Sequence, residues 1–168
     1  MKNIIFMVAF KKDGQLKKEY QYSIDSWRYF CKKYNAELLL MEDPVVDISQ
    51  MNIIWQRYFL FDILDANEIN YDQVLMVDAD TIVHPDCPNF FNETDQTPLN
   101  YMLRKHKVDL KLLPWKYNMG GMAKREIIGD DMLHTKMGYV MHFNGLPGKK
   151  EEVVPYWIEK TYKYLYEN

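Results

Sequence analysis

Asp78 and Asp80, separated only by Ala79, form the stretch of this chain with the clearest chemistry. They follow the apolar run Val74-Leu75-Met76-Val77 and lead into Thr81-Ile82-Val83. Two carboxylates just past a buried strand sit at the sheet edge and repel each other. Leaving both charged there is costly unless a cation joins them. A divalent ion with oxygen ligands is the natural partner, Mg²⁺ or Mn²⁺. The chain has 14 Asp, so about one such pair is expected by chance, and the motif alone is weak. Its placement after a strand is what raises it. A solvated turn with hydrogen-bonding aspartates is the plain alternative.

The elements that must position this pair are legible from periodicity. Asn3 to Phe10 is a continuous apolar run of strand length, the pattern of a strand buried on both faces. Lys11-Lys12-Asp13-Gly14 is turn chemistry. From Leu16 to Tyr34 the residues Tyr20, Ile24, Trp27, Cys31 and Tyr34 recur at steps of four and three, one stripe of an amphipathic helix. Glu37 to Met41 predicts a second strand, Asn52 to Leu64 a second helix, and Val74 to Val77 a third strand. This alternation implies an α/β fold, a parallel Rossmann-like sheet flanked by helices, with the functional edge at the strand C-termini. The second half is less regular. It predicts a strand near Asn100 to Arg104, a turn-rich segment from Pro114 to Met122, a strand from Tyr139 to Phe143 and a final helix from Glu151 to Tyr166. Acidic residues open that last helix, where the dipole favours them.

The whole chain, residues 1–168, reads as one compact domain. With 48% hydrophobic and 27% charged residues it is neither disordered nor collagen-like. A net charge of −3 disfavours nucleic acid as a partner. No apolar run reaches the roughly 20 residues of a membrane span. Ile4 to Phe10 runs into Lys11-Lys12 without a cleavage pattern, so no signal peptide and a cytoplasmic location are expected. Cys31 and Cys87 are too few for a disulfide scaffold. Aromatics at 15% and 11 Met can fill a small, dense core.

Several segments together resemble a known family. Gln56-Arg57-Tyr58, Leu64 and the run from Tyr71 to Val83 look like the nucleotide-sugar glycosyltransferases of family 8, the glycogenin-like retaining enzymes. Tyr117-Asn118-Met119-Gly120-Gly121-Met122 resembles that family's Asn-x-Gly segment, and His142-Phe143-Asn144-Gly145 its H-x-x-G motif. The order and strand context agree over roughly residues 53 to 150. The resemblance implies a GT-A fold and a UDP-sugar donor, UDP-glucose or UDP-galactose. It also implies transfer with retention to a sugar, lipid or protein acceptor that the sequence does not specify. It makes Asp78, Asp80 and His142 the metal ligands, with Asn118 and Asp131 beside the reacting sugar. Ala9, Phe10, Arg57, Ala79, Gly145 and Lys149 would bind the donor. Lys149 and Lys150 come one or two positions later than the family's phosphate-binding lysine. Asp130-Asp131 is the only counterpart of its Asp-Gln motif.

The chemistry is consistent with such a set. An imidazole beside two carboxylates favours Mn²⁺, with Mg²⁺ as the alternative. A guanidinium at Arg57 binds oxygens in pairs and suits a phosphate or sugar. Plainer readings stand beside these: His142 as a satisfied strand-end histidine, Arg57 as a surface ion-pair residue, Asn118 as a turn former. His84 and His106 read as surface or turn residues and His134 as a helix-end residue. Trp115 and Tyr117 suit a core as well as a sugar platform. Asn92-Glu93-Thr94 is a formal glycosylation sequon.

Two other functions fit parts of the pattern. Asp78-Ala79-Asp80-Thr81 after an apolar strand also matches a phosphotransferase of the haloacid-dehalogenase type, with Asp78 as nucleophile and Asp80 as acid/base. That reading needs Lys124 and the acidic pair Asp130-Asp131. A nucleotide-sugar-binding module without catalysis is the third.

Overall fold

The computed structural model describes residues 2–89, 91 and 115–167. The predicted strand near Asn100, His106 and the sequon at Asn92 lie outside the described residues. The first half alternates as its periodicity predicts: β1 (Asn3–Val8), α1 (Lys18–Tyr34), β2 (Ala36–Met41), α2 (Ile53–Gln56), α3 (Leu60–Ala66) and β3 (Gln73–Asp78). These strands form a parallel sheet in the order β2-β1-β3. The register sets Val8 beside Met41 on one side and beside Asp78 on the other. All three C-termini therefore share one edge.

β1 shows why its sequence is continuously apolar. Ile5 and Met7 pack into a core with Trp27 and Phe30 of α1, whereas Ile4 and Phe6 pack with Leu60 and Leu64 of α3. Period-two alternation thus buries both faces of the central strand. The α1 stripe goes inward as predicted, with Ile24, Trp27 and Cys31 buried and Tyr20 and Tyr34 packed at its margin. Asn35 ends the helix in the left-handed conformation at φ 53°, its N–H donating to the Cys31 carbonyl.

The predicted single helix from Asn52 to Leu64 is broken. A 3₁₀ turn, Arg57–Phe59, separates α2 from α3. The Asn52 side chain caps α2 by accepting from the Ile54 N–H at 3.0 Å. Gln56, fully buried, accepts from the Val46 N–H at 3.1 Å and donates to the Val46 and Met51 carbonyls. These bonds tie α2 to the preceding loop, and the tighter turn that follows lets α3 bury Leu60 and Leu64.

Beyond β3 the chain enters a second, antiparallel pair, β4 (Thr81–Val83) with β5 (Val140–His142). β5 is shorter than the predicted Tyr139–Phe143. A short helix, α4 (His134–Met137), precedes it, and α5 (Lys150–Tyr166) closes the chain. A further core joins Ile82, Met119, Met141 and Phe143 to Val154 and Ile158 of α5. Gly138 permits the close approach there. A Cβ at that position would stand 2.0 Å from the Met119 sulfur and 2.7 Å from the Lys116 carbonyl.

Candidate metal centre

The Asp78-Ala79-Asp80 segment is the junction between the two sheets. Asp78 ends β3 beside Val8, and Thr81 opens β4 opposite His142. Two bonds clamp the junction from beneath. The Trp27 indole N–H donates to Thr81 Oγ1 at 2.9 Å, and that hydroxyl donates to the Asp78 carbonyl at 2.7 Å. On the other side the Phe143 N–H donates to the Asp80 carbonyl at 3.0 Å. The strand pairing that makes β4 and β5 a ladder therefore also delivers His142 to the carboxylates.

Asp78, Asp80 and His142 each offer a ligand atom, and these atoms lie within 4.8 Å of one another. His142 Nε2 is 3.2 Å from Asp80 Oδ1 and 3.5 Å from Asp78 Oδ2. The imidazole is held from behind, its Nδ1 3.0 Å from Asn118 Oδ1. With that carbonyl oxygen accepting, Nδ1 donates, and Nε2 faces the carboxylates. Three electron-rich atoms aimed at one point repel until a proton or cation joins them. Two carboxylates and an oriented imidazole form a set that could hold a metal ion. Burial pushes the Asp80 carboxyl up, but the hydrogen bond and charge of His142, with the positive charge of Lys150, outweigh it and hold it below the ordinary carboxylate value. Arg57 donates from Nη2 to the other oxygen of Asp78 at 2.8 Å, in a half-buried pair.

The Asn-x-Gly segment and the strand-end His segment lock together. Beyond the Asn118–His142 contact, Asn144 Oδ1 accepts from the Gly121 N–H at 3.1 Å. A Cβ on Gly120 would lie 3.0 Å from that same oxygen, so the segment needs glycine there to close on Asn144. Asn144 stands inside the His142-Phe143-Asn144-Gly145 motif, and its position two residues after His142 is the only sequence signal of this role.

A cleft of about 410 Å³ opens over the Asp78, Asp80 and His142 side chains. Arg57, Asp78, Ala79, Asp80 and His142 all line it, with Asn118 directly behind His142. Val8, Glu19, Tyr20, Ile53, Ile54, Asn144 and Lys150 complete much of the wall. Glu19 and Tyr20 were not anticipated, yet a helix that follows β1 must begin at the edge where β1 ends.

The other expected residues lie elsewhere. Ala9 is buried in the core behind the edge, and Phe10 packs on the α3 side of the sheet. Gly145 forms an exposed turn at φ 66°. Lys149 points to solvent and pairs with Glu152 at 3.3 Å, while Lys150 faces the cleft. Asp131 accepts from the Leu133 N–H at 3.3 Å before α4 and does not line the cleft. Asp130 pairs with Lys160, and Lys124 is exposed on a 3₁₀ turn, Met122–Arg125. Tyr117 is buried against Tyr139, and the Trp115 N–H donates to the Gly120 carbonyl at 3.3 Å beneath Arg125. His84 accepts from the Asp86 N–H at 3.0 Å in a turn, and His134 opens α4 but is fully buried.

No family model, curated protein or solved structure matches this chain. The α/β sheet and the acidic–imidazole cluster at its edge stand on the geometry alone. Among the described residues no helix is long and apolar enough to cross a membrane.

Proposed function

We propose that this protein is a metal-dependent glycosyltransferase of the GT-A, family-8 type. It would move a hexose from UDP-glucose or UDP-galactose with retention at the anomeric carbon. One observation carries the reading: His142 reaches Asp78 and Asp80 from 62 to 64 residues away, at the C-terminal edge of a parallel sheet. Asp78, Asp80 and His142 would hold Mn²⁺, whose charge would offset that of the leaving diphosphate.

The remaining work falls to the chain itself. Lys17, Arg57 and Lys150 bring three cationic side chains to the cleft wall. At an effective dielectric near 20, each unit-charge pair at about 4 Å contributes roughly 4 kcal/mol before desolvation. Arg57 is already in place through Asp78, so its guanidinium keeps further N–H groups for phosphate or sugar oxygens. Asn118 holds the His142 tautomer. Trp27 and Thr81 fix the backbone of the carboxylate segment. A front-face transfer needs no enzyme nucleophile.

The phosphotransferase alternative requires Lys124, Asp130 and Asp131 around Asp78, and none of them lines this cleft. Calorimetric titration with UDP and UDP-glucose, with and without Mn²⁺, on wild type and Asp80→Asn, tests the reading. Metal-dependent UDP binding that Asp80→Asn abolishes is expected. Failure to bind UDP in Mn²⁺, together with phosphatase activity lost in Asp78→Asn, would overturn it. UDP binding without hydrolysis or transfer would leave a binding module.

A further inference from the structure

The outer face of α2 and α3 is the most apolar open surface among the described residues. Five of the thirteen exposed large apolar side chains among the described residues, Ile53, Ile54, Trp55, Tyr58 and Phe61, fall on α2, α3 and the turn between them. Ile54 and Trp55 are 58% and 59% exposed. Single exposed apolar residues are ordinary, but a cluster on one short segment marks a binding surface.

This face is continuous with the candidate cleft. Ile53 and Ile54 are both exposed and both line the cleft beside Arg57 and Asp78. Across the same helical turn, Met51, Trp55, Tyr58, Phe59 and Asp62 line a shallow groove of about 430 Å³. The Trp55 and Tyr58 rings, 5.7 Å apart and inclined by 31°, make an aromatic floor to it. Both volumes are on the scale of small-molecule sites.

Charge narrows the ligand. Residues 43–72 carry Asp43, Asp47, Asp62, Asp65, Glu68 and Asp72 against one cation, Arg57, which is bonded to Asp78. An anionic bilayer or a nucleic acid would be repelled. An uncharged apolar body would not.

We propose that the acceptor is a small, soluble, uncharged amphiphile. Its hydroxyl enters the cleft, and its apolar body crosses Ile53 and Ile54 to seat on Trp55 and Tyr58. The assignment rests on the glycosyltransferase reading. In the transfer the acceptor oxygen bonds to the anomeric carbon as the carbon–diphosphate bond breaks. The diphosphate keeps the electron pair and takes the hydroxyl proton.

The test compares octyl glucoside, below its micelle concentration, with methyl glucoside, which has the same sugar without the apolar body. Binding is measured with UDP and Mn²⁺ present, on wild type, Trp55→Ala and Tyr58→Ala. Octyl glucoside should bind at least about tenfold more tightly than methyl glucoside, since buried methylenes each contribute. Trp55→Ala and Tyr58→Ala should erase most of that difference and leave UDP affinity unchanged. Equal affinity for the two glucosides overturns the proposal, as does a preference that both variants retain. Concentration-dependent dimerisation, or sedimentation with phosphatidylcholine vesicles, that Trp55→Ala abolishes would overturn it in favour of a second copy or a bilayer. If UDP fails to bind in Mn²⁺ but the variants still lose octyl glucoside, the glycosyltransferase reading fails and the apolar seat stands.

Discussion

Asn118 touches no cleft volume, yet it decides which nitrogen of His142 faces Asp78 and Asp80. A ligand histidine depends on the group that holds its other nitrogen. Asn118→Leu should therefore weaken Mn²⁺ binding by about 10–100-fold, measured by titration of the purified protein, with secondary structure unchanged. Arg57 separates binding from stability in the same way. Its pair with Asp78 is partly solvated, so Arg57→Gln should cost less than about 1 kcal/mol in a denaturant melt. UDP affinity should nevertheless fall about tenfold, the scale of one charge-assisted hydrogen bond. An unchanged affinity would place Arg57 among ordinary surface ion pairs. The place of Asp78 and Asp80 in the fold was legible because the first ends an apolar strand and the second lies in the turn that follows it. Lys149 and Lys150 were not separable, because which of two neighbouring lysines faces the cleft depends on the phase at which α5 begins.

At the scale of elements, the broken helix α2–α3 matters most. It sets Ile53, Ile54 and Arg57 on the cleft wall and Leu60 and Leu64 in the core. A single straight helix would hold one phase throughout. The 3₁₀ turn rotates the second half relative to the first. Periodicity predicts the helix because apolar residues recur through it, but the break depends on Gln56 finding Val46 and Met51. Asn52→Ala removes the cap of a helix only four residues long. It should cost about 1 kcal/mol, seen as a lower melting midpoint, and loosen UDP binding through the shift of Arg57. A loss of stability with UDP affinity untouched would mean that α2 does not position that guanidinium.

At the scale of the whole molecule, His134 ties α4 to α5 and gives the fold a pH dependence away from the cleft. It is fully buried, edge-on to Phe143 and Trp157, with Nε2 2.9 Å from Thr161 Oγ1. Burial pushes its imidazole down to about 4 from 6.5, with Asp131 pulling it up and Lys160 pushing it down. The unfolded chain therefore binds a proton between those values that the folded chain refuses. Stability from this group is complete above about pH 6.5 and is lost as pH falls toward 4, amounting to about 3 kcal/mol. Denaturant midpoints across that range should fall steeply in wild type and less in His134→Gln. Equal slopes would show that the imidazole is protonated in the fold. His134 stands at a helix end, as its sequence context predicts, but a lone histidine carries no mark of burial.

The amino-acid sequence by itself determined the βαβαβ order, the two-sided burial of β1 and the carboxylate pair at the end of β3. These follow from short-range periodicity, since a strand repeats every two residues and a helix every three or four. The tertiary structure alone decided that Asn118 orients His142, that Asn144 closes on Gly120-Gly121, and that Asp131 stands outside the cleft. It also decided that the exposed face of α2 runs into the cleft. Each of these joins residues remote in sequence or turns on how one element is rotated against another. Such contacts follow from the pairing of β4 with β5 and the docking of whole helices, and no local pattern in the chain encodes them.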